Sequence, residues 1–268
     1  MIREILAAAP LFLLLAARAL ALIETAPLLS SESNPQVARV ALAGFAAYAV
    51  FPSAQAFNLR GLEIFSLSFV FLLAGEAIIG IIMGFFVTIV FSAFSTAGQF
   101  FALPMGFSAS QTFDPLSRVE NPLMGQYLSL VAMLVFLSLD GFSELFLGGF
   151  WRSVQSINVA SLAAGREAVI GMLLAGLSRL FVDAMMISLP ILGTLFLSSL
   201  ATGLISKAAP QINILTEGFP ISITIAFLLI LYTLPFMTEL FGRVVDSGFA
   251  SVEQLYIQIG RSIAGGGI

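Results

Sequence analysis

Residues 62–122 fall into two parts, LEIFSLSFVFLLAGEAIIGIIMGFFVTIVFSAFSTAGQFFAL (62–103) and PMGFSASQTFDPLSRVENP (104–122), and the contrast between them decides the fold. No proline interrupts the first part. As one helix it would run about 60 Å at 1.5 Å per residue, twice a ~30 Å hydrocarbon core. It therefore either breaks near Gly75 or protrudes well beyond a bilayer. The second part begins and ends in proline, with Pro115, Gly106 and Asp114 between, so it cannot be a continuous helix. It is not simply a water-loving loop either. Met105, Phe107, Phe113 and Leu116 are spread among Ser108, Ser110, Gln111 and Thr112, a mixture suited to a confined space. Non-helical backbone at membrane depth survives only inside protein or beside a water-filled cavity. Two readings stand: a gate or plug within an assembly, or a surface loop between two spans.

Composition fixes the class. Hydrophobic residues make up 59% of the chain and charged residues 10%, against the ~25% charged of a soluble domain, so an apolar solvent is implied. The mean hydropathy of +1.05 agrees. The chain is expected to be an all-α integral membrane protein, a single helical domain over 1–268 of long kinked hairpins. The weak alternating segments of a β-barrel are absent from the sequence. There is no cysteine and no histidine, which removes thiol chemistry, imidazole bases and the common Zn, Cu and haem ligand sets. The scattered net charge of −4 points to no nucleic-acid partner.

The N-terminus imitates a signal peptide, with Arg3, an apolar run from Ile5, and Ala19-Leu20-Ala21. Arg18 inside the cleavage region, and the apolar segments that follow, argue for retention. Ile5–Ile23 reads as the first helix. Val37–Phe51 reads as a second, spanning only about 22 Å. After the arm and its loop, Leu123–Leu139 is a helix ended by Asp140-Gly141, followed by an amphipathic segment over 142–157 and a loop over 158–167. Ala168–Ile205 is a second long arm, with a kink expected at Pro190. Arg179 and Asp183, four apart on it, are placed to pair. Residues 207–220 form a second broken stretch, then Ile221–Leu234 is a helix interrupted by Pro235. An amphipathic segment over about 236–263 follows. With six spans and a cytoplasmic N-terminus, Arg3, Arg60, Arg152, Arg166, Arg243 and Arg261 fall inside. Arg39, Arg118 and Lys207 fall outside, a mild positive-inside bias.

Within the first arm, Gly75, Gly80 and Gly84 are small residues at spacings that allow close helix approach, with another subunit as the expected neighbour. Glu76 is costly in lipid unless it faces a partner or water, or is satisfied locally. In the second break, Pro210 and Pro220 bracket Gln211 and Asn213, which can bond freed backbone groups; with Gly218 and Phe219 they are expected to form a structural turn.

Catalytic constellations are missing from the sequence. Asp140 and Asp183 lack the setting of intramembrane aspartyl proteases, no G-x-S-x-G elbow occurs, and no Walker or dinucleotide glycine pattern is present. No enzyme and no cofactor is expected. A pore subunit, a scaffold and a secondary transporter for a small solute or ion remain. The transporter would need matching broken helices, and the flanks of 104–122 and 207–220 share no pattern.

The motifs go further. Ala97-Gly98-Gln99, Met105-Gly106-Phe107-Ser108, Phe113-Asp114-Pro115, Asn121-Pro122, Asp140-Gly141, Ala209-Pro210-Gln211-Ile212-Asn213 and Gly218-Phe219-Pro220 stand in order along the chain, with Gly80 and Gly84-Phe85 before them. In these the chain resembles the FliR/SctT family, the membrane subunit of flagellar and virulence type III export gates. It departs from the family pattern at Gln99, at Phe142 and at Thr216-Glu217. The resemblance implies a core subunit that helps to form and close a pore for unfolded export substrates across the bacterial inner membrane. It implies FliP/SctR-type and FliQ/SctS-type subunits and an FlhB/SctU-type switch protein as partners. It also implies that the loop holding Met105, Gly106, Phe107, Ser108, Phe113, Asp114, Pro115 and Arg118 lies in the pore and plugs it.

Overall fold

A computed structural model describes residues 2–31, 34–54, 66–106, 123–208 and 214–265, and these are mostly helical with no strand among them. Helix α1 (Ile2–Thr25) packs against α2 (Gln36–Ala54). The latter has 19 residues, not fifteen, and so spans about 28 Å. Pro52 lies in its last turn.

Helix α3 (Leu67–Ala102) is one unbroken run of 36 residues, about 54 Å long. Of the two alternatives for this arm, a break at Gly75 is not realised. A glycine inside a helix costs about 1 kcal/mol relative to alanine, whereas opening the helix in apolar surroundings would strand several backbone groups. The helix stops where Pro104 removes a donor. Met105 N–H then bonds the Phe101 carbonyl at 3.1 Å and Gly106 N–H bonds the Leu103 carbonyl at 3.0 Å. Gly106 has φ 89°, a left-handed conformation that glycine adopts without a Cβ clash.

Helix α4 (Leu123–Ser138) meets α5 (Gly141–Ser156) at a bend of 80°. Asp140 makes the corner with φ 54°. Within α5 the residues Glu144–Trp151 are π-helical, and Leu145, Gly149, Phe150, Ser153 and Val154 turn inward. The expected loop over 158–167 contains a further short helix, α6 (Val159–Ala164). Asn158 caps it reciprocally: its Oδ1 accepts Ser161 N–H at 2.7 Å, and Ser161 Oγ accepts Asn158 N–H at 2.8 Å. Asn158→Ala should lower stability by about 1 kcal/mol, read as a small drop in the thermal midpoint of the detergent-solubilised protein.

Helices α7 (Arg166–Ala208) and α8 (Ile214–Gly265) complete the chain. Two expectations are corrected here. Helix α8 runs through both Pro220 and Pro235, so Pro235 interrupts nothing, and Gly218, Phe219 and Pro220 are helical residues rather than part of a turn. A proline forfeits one helical hydrogen bond, but ending a helix in lipid exposes several donors and acceptors, so continuity costs less. Pro210, Gln211 and Asn213 lie outside the described residues.

The chain divides into two compact units, Met1–Ile89 with Asp140–Gly176 and Asp246–Ile268, and Val90–Leu139 with Leu177–Val245. In the second unit, Phe91 packs edge-on against Phe136 and Phe241 at centroid distances of 5.4 and 5.8 Å, and Phe94 meets Phe241 at 4.7 Å. Gly98 lets α3 approach the backbone of Met124 and Gly125; a Cβ there would lie 2.7 Å from Gly125 Cα. Arg179 and Asp183 pair at 3.7 Å along α7.

Five of the described helices are long and apolar enough to cross a membrane, or six if the bent α4–α5 pair counts as one span.

Candidate functional site

A buried polar network of the first unit joins Glu76 to Arg18. Glu76 sits on α3, one residue after Gly75, and its partner is Arg18 of α1. Both Nε and Nη2 of Arg18 lie 2.5 Å from Glu76 Oε2. The arginine side chain is 2% exposed and the glutamate 12%, so the pair is held away from solvent. Arg18 Nη1 donates to Ser153 Oγ at 3.2 Å, and Nη2 donates to the Ile157 carbonyl at 3.0 Å. The network ties α1, α3 and the end of α5 together. Ser153 passes it on, donating to the Phe150 carbonyl at 2.6 Å inside the π-helical stretch.

A π-helical turn leaves carbonyls out of the ordinary α-helical register. Ser153, just beyond this stretch, is the residue that meets the buried guanidinium. Of the expectations for Glu76, the one realised is a carboxylate satisfied within its own chain.

The glycines of the arm lie against the same helix. A Cβ at Gly80 would meet the Arg18 carbonyl oxygen and lie 2.9 Å from Ala21 Cβ. One at Gly84 would meet Thr25 Oγ1 and lie 2.8 Å from the Leu22 carbonyl oxygen. Gly75 faces Val159 of α6, whose Cγ1 is 2.5 Å from the position of a Cβ. Thr88, one turn beyond Gly84, donates to the Thr25 carbonyl at 2.8 Å and to the Gly84 carbonyl at 2.9 Å. Within this chain, α1 covers Gly80 and Gly84, and α6 covers Gly75. Sequence spacing marked the face but could not name what covers it.

Arg18 is the residue that sequence reasoning missed. Its signal was present, a cation in the middle of an apolar helix, but it served only to argue against cleavage. Burying an arginine in lipid demands a counter-charge. Glu76 is the one charge of α3, and matching the two was open to the sequence.

Of the residues of the 104–122 segment, Met105 is fully buried and Gly106 makes the left-handed turn described above. Phe107, Ser108, Phe113, Asp114, Pro115 and Arg118 lie outside the described residues. No group of three His, Cys, Asp or Glu side chains that could hold a metal occurs among the described residues.

Much of the described surface is apolar. Leu174, Phe181, Phe196 and Leu204 of α7, and Leu231 and Tyr232 of α8, are each more than half exposed. Such surfaces suit lipid or protein neighbours.

Residues 9–248 match the family model described as "Bacterial export proteins, family 1". The flagellar biosynthetic protein FliR of Escherichia coli K12 is 31% identical over 233 residues, covering 85% of this chain and 87% of that protein. FliR of Borreliella burgdorferi is 35% identical over 187 residues, 69% of this chain and 70% of its own length. The surface presentation of antigens protein SpaR of Shigella flexneri is 28% identical over 163 residues, 60% of each chain. The chain belongs to this export family.

Members of this FliR/SctT group sit in the bacterial inner membrane as multi-pass subunits of the type III export apparatus, and the apolar helices of this chain fit that place. Gly80 and Gly84 are where α3 seats on α1, and Gly98 is where α3 approaches α4.

Proposed function

We propose that the chain is a non-enzymatic core subunit of the export gate, helping to form a pore for unfolded substrates and to close it with residues 104–122. The observation that carries this reading is how the segment begins. At Pro104 the long apolar arm α3 ends, the next side chain, Met105, is fully buried, and Gly106 reverses the backbone with φ 89°. Although Leu103 just before it is 69% exposed, the segment is anchored by a buried Met105 side chain, an anchorage that a plug needs and a surface loop does not.

A channel wide enough for an unfolded polypeptide leaks ions unless something fills it at rest. The filler must exclude water yet leave without unfolding a helix, and local opening costs least where regular hydrogen bonding is absent. Apolar bulk from Met105, Phe107 and Phe113 suits a constriction that gates by dewetting. Asp114 and Arg118, four apart in sequence, are a pair available to pin the closed form. The exposed apolar faces of α7 and α8 support neighbours of FliP/SctR and FliQ/SctS type, with an FlhB/SctU-type switch protein beside them. The helix-packing residues Gly75, Glu76, Gly80 and Gly84 support the assembly indirectly, by fixing the subunit's own shape.

Deleting Ser108–Thr112 should leave the assembled complex intact and make it leaky, read as conductance of the purified complex in planar bilayers. An intact, loop-shortened complex that stays as tight as wild type would return this segment to an ordinary loop.

A further inference from the structure

Arg179 is an outward-facing cation on an apolar helix. Its side chain is 55% exposed, and the exposed residues around it on α7 are Leu177, Phe181, Val182, Met185 and Met186. The neighbouring Asp183 is turned away from the surface, with a side chain only 12% exposed. Arg179 Nε lies 3.7 Å from Asp183 Oδ2, too far for a hydrogen bond. Arginine before the acid is also the weaker order for a pair four apart on a helix. Among the described residues, none accepts a hydrogen bond from this guanidinium.

The surroundings of this face can be sorted by what each leaves unmet. Water would satisfy Arg179 but leave a broad apolar patch uncovered. Lipid tails would cover the patch and give the guanidinium no acceptor. A layer of lipid headgroups would meet Arg179, yet apolar side chains are exposed on both sides of it along the helix. Ile170 and Leu174 precede it, and Leu189 and Leu197 follow, so one group or the other would lie in water. A protein helix lying along α7 meets both needs.

We propose that this face of α7 docks a helix of a neighbouring gate subunit that presents an acidic side chain to Arg179. The guanidinium fork matches a carboxylate with two parallel hydrogen bonds, and a charge enclosed in an apolar contact is tolerable only when paired in this way. Asp183, turned inward, leaves the outer edge of the fork to the neighbour. This contact rests on the chain being one subunit of an export gate, and it names the chemistry by which a neighbour is seated. It does not depend on the role of residues 104–122.

The test uses the full gate complex, purified through this chain. Arg179→Gln should lower the neighbouring subunits recovered per copy of the chain by about tenfold, with the chain's own level in membranes unchanged. Arg152→Gln, which breaks a similarly exposed ion pair, should leave recovery at the wild-type level. Equal recovery with Arg179→Gln and wild type overturns the contact, and so does an equal loss in both variants. A wild-type chain that brings down no neighbour overturns the subunit reading itself. If Arg179→Gln lowers the chain's own level, the complex is cross-linked through benzoylphenylalanine in place of Val182. Adducts on a subunit helix that carries an acidic residue support the contact, provided that changing this acid to glutamine lowers recovery in turn. Adducts with phospholipid alone, or with a helix that lacks an acid, overturn it.

Discussion

Replacing Arg18 by alanine is expected to cost the folded chain about 3–5 kcal/mol, because it strands Glu76 as an unpaired charge away from solvent. Ser153 Oγ and the Ile157 carbonyl would lose a donor in the same step. The reverse change, Glu76→Gln, should be comparably harmful, since it leaves a buried guanidinium without its anion. The double variant Arg18→Met, Glu76→Met should be far less damaged than the two single losses added together, because a well-packed apolar pair can replace a buried ion pair at little cost. The measurement is the thermal midpoint and the yield of the purified gate complex for all three variants. Additive losses would mean that the two residues act independently and that the pair is not what joins α1 to α3.

That pair also shows where sequence reading ended. Glu76 could be singled out from hydropathy alone, because a carboxylate in an apolar helix is costly wherever it stands. Its partner lies 58 residues earlier in the chain, and nothing in local periodicity connects them. The long arm, the end of α3 at Pro104 and the corner at Asp140-Gly141 were legible because each rests on a local rule of chain geometry. Pro235 misled for the opposite reason. The local rule says that proline breaks a helix, but apolar surroundings make an unbroken helix with one missing bond the cheaper state. The π-helical stretch in α5 had no readable signal, since its residues are those of an ordinary amphipathic helix. For the candidate gate, the composition of 104–122 was informative and its family motifs more so.

The surface pair Arg152–Glu253 gives a useful contrast in scale. It joins α5 to α8 at 2.7 Å, but both side chains are more than half exposed. Exposed pairs contribute about 0–1 kcal/mol, so position and burial, rather than the number of ion pairs, decide which charges matter here.

The glycines of α3 provide the second large expected effect. Gly80→Ala adds a single methyl group, yet that carbon would run into the main-chain carbonyl of Arg18, with Ala21 Cβ only 2.9 Å away. A flexible side chain can swing aside; a helix backbone cannot, so α1 must be pushed off α3. Overpacking typically costs about 1–3 kcal/mol, and here the displacement also pulls Arg18 from Glu76, which adds part of the buried-pair cost. Gly84→Leu should be worse still, because it clashes with Thr25 Oγ1 and the Leu22 carbonyl and would disturb the Thr88 hydrogen bond to Thr25. Gly44→Ala is the control. A Cβ at Gly44 meets nothing within 4 Å, and alanine is the better helix former, so that variant should be as stable as wild type or slightly more so. All three should still insert in the membrane, because hydropathy barely changes. Recovery of folded chain after detergent extraction should therefore fall in the order Gly44→Ala, Gly80→Ala, Gly84→Leu. A Gly80→Ala protein as stable as Gly44→Ala would show that α1 and α3 do not approach closely there. A protein stable alone but unable to join its complex would move the contact back to another subunit.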